Sequence, residues 1–153
     1  RDADQFIYGV GTAVSPDLQL AIEKAMLVAK ADLADQMKGQ MNKKAEMYIT
    51  ELGAEGNKQV ATRVESTIVN LIQDTKVVGY EQFEKDVFIT ANQNYRIYVG
   101  LRWSHTDSNR LFAYIQDEIN REIEMAADVD ELAQSAVNDV LDMSAPVEKV
   151  EVQ

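Results

Sequence analysis

Apolar positions along this chain keep two different periods, and the change of period marks the elements. Residues 5–13, "QFIYGVGTA", mix aromatic and β-branched residues with glycine and predict a strand. From Pro16 to Leu52 apolar residues recur three or four apart: Leu18, Ile22, Ala25, Met26, Ala29 and Leu33, then Met37, Met41, Ala45, Tyr48, Ile49 and Leu52. That spacing predicts one long helix, with Ser15 as its cap, Pro16 at its first position and Asp17 favouring its first turn. "GAEGN" (Gly53–Asn57) ends it, and Asn57 caps a second helix to about Asp74 with Val60, Val64, Thr67, Ile68, Leu71 and Ile72 inward.

The period then drops to two. "KVVGYEQFEKDVFIT" and "YRIYVGLRWS" read as strands around the turn "ANQN" (Ala91–Asn94). In the second, Tyr95, Ile97, Val99, Leu101 and Trp103 face one way, and Arg96, Tyr98, Gly100 and Arg102 the other. One sheet face is therefore buried and the other at least partly wet. A third helix, capped by Thr106, Asp107 or Ser108, carries Leu111, Tyr114, Ile115, Ile119 and Ile123. Its stripe resumes at Leu132, Ala136, Val137, Val140 and Leu141 after an expected kink near Asp128. The expected architecture is α+β: a small three-stranded, mostly antiparallel sheet in β-α-α-β-β-α order, packed by long helices on one face. Residues 1–143 form one domain, and 144–153 a flexible C-terminal tail.

The first helix raises a problem of length. At about 1.5 Å per residue it reaches roughly 54 Å, whereas a domain of this size has a diameter of roughly 40 Å. Either it bends near Gly39 or its second half lies on something else. Burial against a second copy makes Met37, Met41, Tyr48, Ile49 and Leu52 interface candidates. Gly9 and Gly11 join them, because two missing Cβ atoms on one side of a strand let a helix or a neighbouring chain come close.

Composition narrows the chemistry. There is no cysteine, which excludes disulfides, thiolate metal sites and a cysteine nucleophile. No apolar run approaches the roughly 20 residues of a membrane span, so a soluble piece is expected. The chain opens at Arg1, and an N-terminal segment is expected to have been removed. Net charge is −11, unevenly spread: residues 1–106 hold 14 acids and 12 bases, residues 107–153 hold 12 acids and 3 bases. Such a surface repels nucleic acid and anionic lipid.

The candidate sites are weak. "GVG" before a helix suggests a phosphate loop, but Val14 stands where a dinucleotide fingerprint needs its third glycine, and no lysine precedes Lys24. His105, the one histidine, reads as a turn residue. "DVDE" (Asp128–Glu131) lacks the glycine and the distal glutamate of a calcium loop. No catalytic, cofactor-binding or metal residue is expected, and no small-molecule substrate.

Read together, "GVGTAVSPDLQLAIEKAMLVAKADLADQM", "RVESTIVNLIQDTKVVGYEQF" and "YRIYVGLRWS" resemble the small bacterial outer-membrane lipoproteins of the twenty-kilodalton type, the FlgP-like family. The matching positions are Gly9, Gly11, Asp17, Ala21, Ala25, Ala29, Leu33 and Ala34, and the likeness covers roughly residues 5–125. It implies a non-enzymatic structural protein of the cell envelope, flagellum-associated in some members, that self-assembles into rings, disks or filaments. A lipid anchor, where there is one, belongs to chain outside residues 1–153, because no lipobox cysteine is present. The alternative is a monomeric binding or adaptor module, including a part of a phage particle or surface appendage.

Overall fold

A computed structural model describes residues 5–75 and 79–151, except for the side chains of Thr75 and of residues 142–151. The order is β1 (Phe6–Ser15), α1 (Leu18–Glu51), α2 (Lys58–Thr75), β2 (Glu81–Ile89), β3 (Tyr95–Ser104) and α3 (His105–Glu151). The sheet runs β1-β3-β2 with both pairings antiparallel, as the α+β reading requires. Val78 and the two residues before it, read as the start of a strand, lie outside the described residues.

Local chemistry sets the ends of the elements. Asp17, not Ser15, caps α1: its carboxylate accepts from the N–H groups of Gln19 and Leu20. Ser15 instead accepts from the Asp17 N–H at 3.2 Å, fixing the approach to the cap. Asn57 caps α2 through the Val60 N–H. Ser104 and Asp107 cap α3 reciprocally, the Ser104 Oγ accepting from the Asp107 N–H and donating to its carboxylate. Gln93, at φ 64°, closes the β2–β3 hairpin together with the Thr90 N–H to Asn94 C=O bond at 2.7 Å.

The buried row of α1 explains the path of the chain. Ala21, Ala25, Ala29, Leu33, Met37, Met41, Ala45 and Ile49 are buried, one every four residues. On a helix of 3.6 residues per turn such a row rotates by about 40° at each step. Over the seven steps from Ala21 to Ile49 it turns through about 280°, so no single flat partner covers it. The sheet covers the first half, through Ile7, Gly9, Gly11 and Ala13 of β1 and the buried side of β3. The second half is covered by α2, folded back through Val60, Val64, Ile68 and Ile72, and by α3 through Ile115 and Ile119. Tyr48 donates to Asn120 Oδ1 at 3.1 Å and meets Phe112 edge-on.

Two expectations change accordingly. α1 neither breaks at Gly39 nor needs a neighbour for its distal half, because its own chain doubles back over it. The element that outruns the fold is α3. It has 47 residues, about 70 Å at 1.5 Å per residue. It continues through Asp128 as one helix where a kink was expected, and its bounds reach into the segment read as a tail.

Candidate interaction surfaces

The expected interface residues fall into three groups. Gly9 and Gly11 face α1 of the same chain. A Cβ on Gly9 would stand 2.5 Å from the Leu33 Cβ and 2.7 Å from the Ala29 carbonyl, and one on Gly11 would collide with the backbones of Ala25 and Ala29. The glycines therefore admit this chain's helix, and the alanine row 21–25–29 is the surface admitted. Met37, Met41 and Ile49 are 0%, 0% and 6% exposed, closed off from a neighbour in this conformation. Only Leu52 is openly exposed, and Tyr48 is half-buried in its bond to Asn120.

The phosphate-loop reading fails on geometry. Gly9 and Gly11 lie inside a paired strand, and the first free N–H groups of α1 already bind the Asp17 carboxylate. His105 is half-buried as the first residue of α3, and its N–H donates to the Gln5 C=O at 2.8 Å. Asp128 and Asp130 are exposed on α3, two residues apart and so on opposite sides of the helix. Among the described residues no group of three or more His, Asp or Glu side chains is placed to hold a metal ion.

Two surfaces left open by the described residues carry exposed apolar side chains. The sheet face away from α1 carries Tyr8, Val10, Thr12 and Val14 of β1, and Arg96, Tyr98, Gly100 and Arg102 of β3. At one end this face packs on itself. The Arg102 guanidinium lies 4.3 Å from the Phe6 ring centroid and 5.8 Å from that of Phe83, and binds Glu81 at 2.9 Å. Phe83 lies over Gly100, where a Cβ would stand 2.7 Å from its ring. Arg102 holds the exposed Glu81 carboxyl below its ordinary value, through the hydrogen bond first and its charge second. Toward the other end the face opens into a groove of about 980 Å³, lined by Val10, Thr12, Asp86, Phe88, Arg96 and Tyr98 among others. Val10, Phe88 and Tyr98 remain 40–52% exposed there.

The sheet edges are guarded. On β1 the outward N–H of Val10 donates to the Asp32 carboxylate of α1 at 2.8 Å, so the helix blocks a pairing group of that edge. β2 carries Glu81, Glu84, Lys85 and Asp86 and an irregular register between Gln82 and Glu84, features that deter edge pairing. Its last residues differ: Val87, Phe88 and Ile89 are 46%, 52% and 68% exposed, on both faces of the strand.

The second uncovered surface is the distal part of α3, where Met125, Val129, Leu132, Val137, Val140 and Leu141 are all more than half exposed. The sequence pattern marks Leu132, Val137, Val140 and Leu141 of this stripe but not what covers them. No helix among the described residues is long and apolar enough to cross a membrane.

No family model matches the chain, and no curated protein matches it. Among solved structures it is similar to the crystal structure of hypothetical protein FTT1539c from Francisella tularensis, with a TM-score of 0.38 and 21% identity. The match covers 64% of this chain and 31% of that one, so the chain spans about a third of that protein's length.

Proposed function

We propose that this chain is a non-enzymatic structural protein of the bacterial cell envelope that self-associates through the open face of its sheet. The envelope assignment rests on the resemblance carried by Gly9, Gly11, Asp17 and the alanine row to Ala34. The observation supporting self-association is the groove at Val10, Phe88 and Tyr98, where apolar side chains of the sheet are left exposed by the described residues, with Val28 of α1 at the border. Sheets with two apolar faces are stable when both are covered, and such a patch marks an interaction site. Light scattering across micromolar concentrations should give a mass above that of one chain, and Phe88→Ser with Tyr98→Ser should return it to the monomer. A wild-type monomer at every concentration overturns the reading, and electron microscopy of the assembled protein reads its symmetry. The distal α3 favours a second reading, an adaptor that also holds a different protein, because that stripe is uncovered and strongly acidic.

A further inference from the structure

The core-facing side of α3 continues past the point where its own core ends. Ile115 and Ile119 are fully buried, and Ala126 is half-buried beside Val60 of α2. At 3.6 residues per turn the same side of the helix continues through Ala133, Val137 and Val140, with Met125, Val129 and Leu132 alongside. There the exposures rise to 63% at Val129, 71% at Leu132 and 66% at Val140. An inward face has become an outward one, about 22 Å long from Met125 to Val140.

Charge restricts what covers it. From Glu122 to Leu141 the helix carries six acids and no base: Glu122, Glu124, Asp128, Asp130, Glu131 and Asp139. Glu122 lies 3.6 Å from Arg63 of α2. Helical geometry sets Glu124, Asp128, Glu131 and Asp139 along one flank of the apolar stripe. A second copy of this segment would add six carboxylates and no base. Anionic lipid and nucleic acid are repelled for the same reason.

We propose that residues 125–140 of α3 are a docking face for a basic amphipathic helix of another protein. Its apolar side would lie on Val129, Leu132 and Val140, and its lysines or arginines along the Glu124–Asp139 flank. This rests on the adaptor reading above and is independent of the sheet face, so each is tested by its own variants.

The test uses the full chain and two fluorescent model helices with the same leucine stripe, one flanked by lysine and one by glutamate. Anisotropy should show one lysine-flanked helix bound per chain, weakening with salt, and no binding of the glutamate-flanked one. Leu132→Ser keeps every charge and changes an exposed residue, so the fold is kept, as the circular dichroism of the variant checks. It should weaken binding about tenfold or more. Asp128→Asn with Glu131→Gln should also weaken it and flatten its salt dependence. The proposal is overturned if neither helix binds, or if the lysine helix binds Leu132→Ser as tightly as wild type, which is charge attraction alone. It is equally overturned if Leu132→Ser dissociates a wild-type dimer, which makes the occupant a second copy.

Discussion

The two long helices of this protein solve the same problem in opposite ways. α1 has 34 residues and buries a side chain at every fourth position to its last turn. α3 has 47, and its apolar side is buried only as far as the α1–α2 hairpin reaches. Length therefore does not decide which helix needs company. The buried row of α1 rotates about its axis, so its first half meets the sheet and its second half meets α2 and α3 together. α3 keeps its apolar residues on one side of the helix and exhausts the partners available on that side. The small residues of α1 allow a backbone to lie directly on a strand, whereas the Val, Leu and Met of distal α3 are shaped for side-chain packing against another helix.

The sharpest way to break this contrast is to alter the contact that begins it. Gly11→Ala places a Cβ against the backbones of Ala25 and Ala29, which have no rotamer by which to give way. α1 must lift from β1, and urea unfolding should show a loss of about 3 kcal/mol, at the upper end for overpacking. The same substitution at Gly39 meets nothing within 4 Å. On an exposed helix position it should raise stability by about 1 kcal/mol. Equal effects at the two sites would mean that the close approach of helix and strand does not hold the fold together.

A second comparison sets the two apolar rows against each other. Met41 is 0% exposed in the row of α1, and Leu132 is 71% exposed on α3. Met41→Ala leaves a cavity between α1 and its covering helices and should cost about 2–4 kcal/mol. Leu132→Ala should change the stability of a dilute, monomeric sample by less than about 0.5 kcal/mol. A large loss at Leu132 would mean that distal α3 is covered in solution even without added partner.

Much of this was legible in the chain. The element order, the alternation of β3 and the pairing of Gly9 with Gly11 on one strand side all follow from periods of two and four, which are local. The cap of α1 lies two residues past the expected Ser15, because serine, proline and aspartate are all good start signals and only the carboxylate of Asp17 reaches the Gln19 and Leu20 N–H groups. The overhang lies on α3 rather than on the expected α1 for a different reason. A helical stripe states that a face is apolar, not what lies on it, and α2 returning over Met37 and Met41 is a tertiary event. The guard on β1 was equally hidden, since Asp32 lies 22 residues from the Val10 N–H it accepts from. The open groove at Phe88 and Tyr98 depends on the described helices packing on the other face of the sheet, which no spacing encodes.

The smallest effect expected concerns the closed end of the sheet face, where Arg102 lies between Phe6 and Phe83 and binds Glu81. In the folded chain Arg102 lowers the Glu81 pKa from its ordinary 4.5, by hydrogen bond and then by charge. A carboxyl depressed on folding stabilises the native state above its unfolded value, and that contribution fades as pH falls through the folded one. Glu81→Gln should therefore cost stability at neutral pH and nothing once the medium is more acidic than the folded carboxyl. Because the pair is open to solvent, the cost should be near the lower limit of measurement and should shrink further with added salt. Urea unfolding of both proteins at neutral and strongly acid pH provides the readout, with Phe88→Ser as the partner variant at the open end. A cost for Glu81→Gln that persists in acid would mean that Glu81 acts through packing beside Phe83 rather than through its charge.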